Sequence, residues 1–457
     1  MYRFGIHFKR FLLVAGDVAI YQLALVLMLW LRYGSVSARD WELHAPPFAI
    51  VSGLWIIGSY VAGLYDLHQM KNGVRFFRLY LEGMMANLAI AFAFFYLVTI
   101  FGVTPRTNLF LYFAIVLLLG YGWRLIYNHT LVTALFKNRL LFIGTAQDAV
   151  KIKNLVDKSG FGFELVAVTE TSPTERFKDD RITWYGSLDR LEEALREQRI
   201  NTILLGQEPD TVPGLRDALY RTLFHPVTLL DRTALEETTT GRVPLEYVSQ
   251  TWFLEHLREH EKTWYEGMKR LIDIILSIPI GLVTLFFFPF VALAIKLSSK
   301  GPVLYSQIRV GKMGKLFTIW KFRTMRQDAE VEGKPQFASK GDPRITSVGK
   351  FLRASRLDEL PQIWNVVRGD MSLIGPRPER PEFVEELTRQ MPYYALRHLT
   401  RPGLTGWAQV KFPYAGTLED NLKKLQFDLY YIKHRSLLLD LAILLKTVGI
   451  VLRRQGT

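Results

Sequence analysis

The sequence predicts a mixed membrane protein: a four-helix transmembrane bundle, then a Rossmann-like α/β domain, then a mainly α domain entered through a re-entrant membrane helix. Three observations predict it. Four apolar runs open the chain; near Arg139 the pattern changes to short β-rich runs between amphipathic stretches; and a fifth long apolar run carries basic residues on both flanks. The expected boundaries are 1–137, 138–245, a linker at 246–264, the re-entrant helix at 265–300 and the last domain at 301–457.

The first four runs lie near 11–31, 47–64, 84–102 and 109–127, each close to the ~20 residues that cross a bilayer as a helix. The run 11–31 is too long for a cleaved signal and lacks a small-residue cleavage site. Gly53, Gly58 and Gly63 suit a close helix-packing face. Lys9, Arg10, Lys71, Arg75, Arg78, Lys137 and Arg139 put the basic excess at both ends of this domain and in its second loop. By the positive-inside rule, those parts face the cytoplasm.

Strands are expected at Leu140–Gly144, Glu164–Val168, Thr202–Leu205 and Val227–Leu230, with helices near 147–158, 188–198 and 212–223. After the first strand the chain reads Gly144-Thr145-Ala146-Gln147-Asp148-Ala149, so only the first glycine of a dinucleotide fingerprint is in place. A structural or regulatory module is the favoured reading.

The fifth apolar run, Leu271 to Ile295, lies between Lys269-Arg270 and Lys296 with Lys300. A straight crossing would leave one basic pair outside, and Pro279 and Pro289 each remove a backbone hydrogen bond. A broken helix that enters and leaves by one leaflet satisfies both facts, with Ser277 available to freed carbonyls. A kinked span is the competing reading. Leu437 to Leu452 suits either an interfacial helix or a packed core helix.

Composition narrows the chemistry. Lys+Arg exceed Asp+Glu by 57 to 43, beside a hydrophobic share of 49%. That combination points to membrane and anionic substrates, with no nucleic acid expected. No cysteine is present, which excludes disulfides, thiolate metal sites and a catalytic thiol. Between Arg309 and Arg380 there are 15 Lys/Arg against 8 Asp/Glu, interleaved with Gly, Pro and aromatic residues. Rigid loops of this kind hold diphosphates. In their middle lies Arg356-Leu357-Asp358-Glu359-Leu360-Pro361-Gln362, a helix start that Gly369 ends. Helix N–H groups with Arg353 or Arg356 would keep an aspartate ionised there, able to attack phosphorus. The plainer reading is an acidic first turn that complements a helix dipole.

The surrounding motifs decide against the plainer reading. Lys321-Phe322-Arg323-Thr324-Met325, Asp342-Pro343-Arg344, Leu357 to Gln362, Gly369-Asp370-Met371-Ser372-Leu373-Ile374-Gly375-Pro376-Arg377-Pro378 and Arg401-Pro402-Gly403-Leu404-Thr405-Gly406-Trp407 resemble, in order, those of the bacterial sugar transferase family. These are polyprenyl-phosphate phosphoglycosyl transferases, and the resemblance covers about 265–457. It implies a monotopic catalytic domain that moves sugar 1-phosphate from a UDP-sugar to polyprenyl (undecaprenyl) phosphate, releasing UMP, through a covalent aspartyl intermediate. It further implies exopolysaccharide, capsule or O-antigen initiation, Mg²⁺ as cofactor, membrane lipid as partner, a homodimer, and a catalytic domain on the cytoplasmic face of the bacterial inner membrane.

Carried onto residues, it makes Asp358 the nucleophile, with Glu359 helping to hold Mg²⁺ or to run the second step. Lys321, Arg323, Arg353, Arg356, Arg377 and Arg401 are the candidate phosphate ligands, with Gln409 and Asp428 as further site residues. Lys269 and Arg270 would meet lipid phosphate beside Ser277, Pro279 and Pro289 at the membrane entry. The family's Ser-Pro pair is not matched: Phe288-Pro289 and Ser277-Ile278-Pro279 stand instead.

Three other readings compete. A nucleotide-sugar dehydratase or epimerase would use Tyr265 and Lys269, but no glycine-rich loop precedes them. A non-catalytic membrane scaffold leaves the charged motifs unexplained. A glycosyltransferase would release UDP.

Overall fold

The computed structural model describes residues 2–65, 74–101, 106–128, 138–159, 163–170, 179, 181–257, 259–326, 342–412 and 417–452. Lys71, Lys137, Arg453 and Arg454 lie outside the described residues. The chain divides into two compact units, Met1–Thr240 and Gly241–Thr457.

The first unit opens with α1 (Tyr2–Tyr33), α2 (Ala38–Val61), α3 (Val74–Leu97) and α4 (Arg106–Ile126). Among the described residues, four helices are long and apolar enough to cross a membrane: Arg10–Tyr33, Phe76–Leu97, Thr107–Ile126 and Thr263–Ser298. The second expected span is not one of them. Helix α2 begins earlier than its apolar run, at a Ser37 cap, and its first turns carry Arg39, Asp40, Glu42 and His44 before Pro46 and Pro47. Its later turns still bury Phe48, Val51 and Trp55 against Tyr112 and Tyr21. A buried ion pair, Arg124 to Asp17 at 2.5 Å, ties α4 to α1, and the Tyr65 hydroxyl donates to the same carboxylate oxygen at 2.6 Å.

Next come β1 (Asn138–Gly144), α5 (Ala146–Ser159), β2 (Phe163–Glu170), β3 (Thr183–Tyr185), α6 (Leu191–Glu197), β4 (Thr202–Leu205), α7 (Leu215–Thr222), β5 (Thr228–Asp231) and α8 (Arg232–Thr240). All strands are parallel, in the order β3-β2-β1-β4-β5. Both faces of β1 are covered: Leu140 and Phe142 pack into one core, Leu141 and Ile143 into another. This is the doubly wound order that right-handed crossovers produce.

The second unit contains α9 (Gln250–His256), α10 (Thr263–Ser298), a hairpin of β6 (Leu304–Val310) and β7 (Leu316–Phe322), α11 (Ser347–Ala354) and α12 (Ile363–Arg368). It continues with β8 (Ser372–Ile374), α13 (Pro381–Gln390), β9 (Gly403–Thr405), α14 (Trp407–Lys411), α15 (Leu418–His434) and α16 (Leu437–Leu452). The stretch expected as linker does not hang free. Phe253 is buried in the core of the second unit, and Val248, Trp252 and Leu257 pack against it.

Helix α10 runs through both prolines without a break, and the Ser277 hydroxyl, fully buried, bonds to no freed carbonyl. Its 36 residues would measure about 54 Å. Along that length one face packs on the rest of the unit, through Tyr265, Lys269, Asp273 and Ser277 in the first half and Phe288, Val291 and Ile295 in the second. The opposite face leaves Leu282, Leu285, Phe286, Phe290 and Leu293 exposed. Helix α16 is likewise two-sided: Ile443 and Asp440 are buried, whereas Leu438 and Leu441 are exposed.

Candidate active site

Helix α11 ends at Ala354, and two residues later Arg356 takes a left-handed conformation (φ 59°, ψ 12°). For a residue with a Cβ that geometry is uncommon and strained. It turns the chain into a 3₁₀ segment, Leu357–Gln362, that continues into α12; Gly369, at φ 98°, ends that helix. Asp358 and Glu359 therefore sit in a buried 3₁₀ turn rather than in the first turn of an α-helix.

The two carboxylates have different surroundings. Glu359 receives Lys321 Nζ from β7 at 2.8 Å and the Arg377 guanidinium at 2.5 and 3.3 Å. Its burial opposes ionisation, but Arg377 and Lys321 hold its carboxyl well below the usual range. Asp358 is only 8% exposed, and its Oδ1 has no hydrogen-bond partner. Burial first, and then the Glu359 charge, push its carboxyl up to about 6 against the pull of Lys321, Arg353 and Arg377. The sequence-based expectation that helix N–H groups and Arg353 or Arg356 hold Asp358 low is thus corrected. Glu359 takes the ion pairs, and Asp358 is left desolvated with one free oxygen. An unpaired carboxylate oxygen in a cationic pocket suits nucleophilic attack on phosphorus better than a fully paired one.

Arg377 is fixed from behind. Arg397 donates to the Arg377 carbonyl and to Asp428, each at 2.9 Å, and to the Tyr394 hydroxyl at 2.6 Å. Arg309 donates to the Pro378 carbonyl at 3.0 Å, while Glu379 pairs with Lys424. Arg397, Glu379 and Lys424 are absent from the residues singled out in sequence. Behind this loop, Gly375 and Gly403 bring β8 and β9 together: a Cβ on Gly403 would stand 2.0 Å from the Gly375 nitrogen.

The remaining candidates separate. Arg353 Nε donates to Thr324 Oγ1 at 2.9 Å and acts on Asp358 through its charge. Arg323 is buried and donates to Ser299. Lys269 is buried in an ion pair with Asp440 at 2.8 Å, and Arg270 donates to the Val366 and Val367 carbonyls that end α12. Lys269 is therefore committed to an internal carboxylate, whereas Arg270, half-buried, has only carbonyl partners among the described residues. Arg401 donates to the Gly369 carbonyl at 3.2 Å and lies 3.5 Å from Glu266. Gln409 donates to the Leu404 carbonyl at 3.3 Å. Neither hydrogen-bonds to the Asp358-Glu359 pair.

No group of three or more His, Asp or Glu side chains with metal-site geometry occurs among the described residues. The dyad nevertheless fits Mg²⁺, which takes one or two carboxylates and completes its shell with substrate phosphates and water. Glu359 Oε2, the less tightly engaged of its two oxygens, would hold the ion beside Asp358.

The Rossmann-like sheet offers no comparable site. A Cβ on Gly144 would meet Phe142 Cζ at 2.5 Å, and one on Gly206 would meet it at 2.6 Å, so the Phe142 ring fills the crevice between β1 and β4. The start of α5 is capped by Thr145 and Asp148, and Arg232 donates to Asp148 at 2.8 Å. A pyrophosphate would find an acidic group already in its place, and the sheet does not fit a dinucleotide.

The site and its scaffold define a transferase of the bacterial sugar transferase family, to which the chain belongs; the match to that family covers residues 264–454. Over 450 residues the chain is 31% identical to a UDP-glucose:undecaprenyl-phosphate glucose-1-phosphate transferase of Klebsiella pneumoniae, covering 91% of each protein. A protein of the same name from Escherichia coli (strain K12) is 32% identical over 349 residues, 72% of this chain and 70% of that one. A UDP-N-acetylgalactosamine-undecaprenyl-phosphate N-acetylgalactosaminephosphotransferase of Aeromonas hydrophila is 44% identical over 229 residues, 49% of this chain and 52% of its own length.

Proposed function

We infer that the chain is a bacterial membrane phosphotransferase that moves sugar 1-phosphate from a UDP-sugar to polyprenyl phosphate. The unpartnered, desolvated Oδ1 of Asp358 carries the mechanistic part of this reading. In the first step that oxygen bonds to the sugar-bearing phosphorus, the phosphoanhydride bond breaks, and UMP leaves with the bond's electron pair. In the second, an oxygen of the lipid phosphate bonds to the same phosphorus and the Asp358 carboxylate departs. Lys321 and Arg377 neutralise charge on the transferring phosphoryl group, and Arg397 with Asp428 keeps Arg377 aimed. Mg²⁺, held by Asp358 and Glu359, would supply further neutralisation of the diphosphate.

The proposal extends to membrane placement, through α10. Helix α10 is long and apolar enough to cross a membrane, but side chains in both its halves pack on the rest of the second unit. That packing, with basic residues at both ends of the helix (Lys269, Arg270, Lys296 and Lys300), supports a helix embedded in one leaflet with both ends on the cytoplasmic side of the inner membrane. A homodimer is part of the same proposal. Measuring the nucleotide released from UDP-glucose, UDP-galactose and their N-acetylated counterparts tests the reaction type: UMP is expected, and UDP would establish a glycosyltransferase instead.

A further inference from the structure

Arg323 stands out among the cations of the catalytic unit. It is 7% exposed, follows the end of β7, and continues the hairpin pairing by donating its backbone N–H to the Val303 carbonyl at 2.9 Å. Its Nη2 donates to the Ser299 carbonyl at 2.7 Å and to Ser299 Oγ at 3.0 Å. Nε and Nη1 are buried and have no hydrogen-bond partner among the described residues. Burial lowers its pKa, and no carboxylate of the described residues acts against that shift. Several other cations of the unit are matched by carboxylates: Lys321 and Arg377 by Glu359, Lys269 by Asp440, Arg309 and Lys424 by Glu379. A buried cation without an anion is costly, and two of its donors are left unmet, which costs further. The site is complete only when an anion enters it.

Its location identifies the anion. Ser299 is the residue on which α10 ends, and the final turns of α10 present Phe290, Leu293 and Leu297 to the outside, the last of them 81% exposed. The apolar cluster of Ile295, Phe322 and Leu352 lies beside Arg323 in sequence and fold, and Phe351, 63% exposed, extends the apolar surface. On the other side, Thr324 Oγ1 accepts from Arg353, whose charge reaches Asp358. Arg323 therefore stands beside an apolar surface, and its sequence neighbour Thr324 is tied to Arg353.

We propose that Arg323 receives the phosphate of the lipid acceptor through its Nε and Nη1 groups, while Lys321 and Arg377 serve the nucleotide-sugar diphosphate. The assignment rests on the phosphotransferase reading above and divides the site between its two substrates. A phosphomonoester with a long apolar tail matches a buried cation flanked by exposed hydrocarbon; a UDP-sugar matches only the cation.

The test uses full-length protein in phosphatidylcholine nanodiscs, with Arg323→Ala and Arg323→Lys. The alanine variant should raise the KM for polyprenyl phosphate about tenfold or more, the worth of a charged hydrogen bond. The lysine variant should raise it less, with the KM for UDP-sugar within about twofold of wild type in both. The acceptor defect should persist in this purely zwitterionic lipid and be unchanged by added phosphatidylglycerol. An equal rise in donor KM would move Arg323 to the diphosphate, and a defect seen only with phosphatidylglycerol would make it a headgroup site. An unchanged acceptor KM in a folded variant would leave it a structural cation; each result overturns the proposal. If the alanine variant does not fold, the lysine variant carries the same comparison. Absence of UMP release by the wild-type protein would instead defeat the underlying function, and the two failures are distinguishable.

Discussion

Asp358 is buried as a group whose carboxyl sits near 6 rather than at its ordinary value of 3.8. A raised native pKa means that the folded state binds the proton more tightly, so stability falls as pH rises from about 3.8 toward 6 and the whole penalty is present above that. Asp358→Asn should accordingly remove activity and also stabilise the protein above pH 6, by an amount on the order of 2–3 kcal/mol. The gain should vanish below pH ~4 in thermal melts, because both proteins are then uncharged at this position. In the wild type, UMP release in a single turnover without acceptor should fall about tenfold per pH unit below 6, as the nucleophile is protonated. Glu359→Gln removes the like charge beside Asp358, so the acid limb of that profile should move below 6. The same substitution leaves Lys321 and Arg377 without their carboxylate and should destabilise by about 3–5 kcal/mol. An acid limb that stayed in place would mean that Glu359 does not set the Asp358 carboxyl.

At the scale of elements, the contacts that hold the site are mostly long-range. Lys269 on α10 meets Asp440 on α16 across 171 residues of sequence. Lys269→Ala should therefore act on stability, costing about 3–5 kcal/mol by leaving Asp440 buried and unpaired, while Lys269→Met with Asp440→Leu should recover most of it. Thermal melts with the two variants check this, and a changed acceptor KM without a changed melt would restore Lys269 to the lipid site. The same distances explain what sequence reading reaches. Lys321, Asp358, Glu359 and Arg377 are conspicuous because each lies in a short run of charged, Gly, Pro and aromatic residues. Arg397 is not, because its partners Arg377 and Asp428 lie 20 and 31 residues away and no local pattern joins them. Four of the five strands are readable as β-rich runs, whereas β3 is three residues long and carries no period of its own. Charge alone also does not show that Lys269 meets Asp440, since a basic residue at a membrane helix looks the same whether it faces lipid or an internal carboxylate.

For the molecule as a whole, the membrane relation of α10 can be read chemically, because the chain has no cysteine of its own. A Cβ at Gly267 would meet nothing within 4 Å, and Lys300 is exposed. Single cysteines at these two positions should both react with an impermeant maleimide applied to inside-out vesicles, and neither should react in intact spheroplasts. Labelling at opposite faces would make α10 a crossing helix. The sheet of the first unit, its crevice closed by Phe142, should leave activity independent of added NAD or NADP.

The chemistry itself turns on the free Asp358 oxygen. Incubating the protein with a UDP-sugar in the absence of lipid acceptor, quenching in acid and analysing peptides by mass spectrometry should show one sugar-phosphate adduct, on the peptide that contains Asp358, formed in step with UMP. An Asp358→Asn protein that still transfers sugar phosphate to the lipid, with no adduct on either protein, would contradict the account.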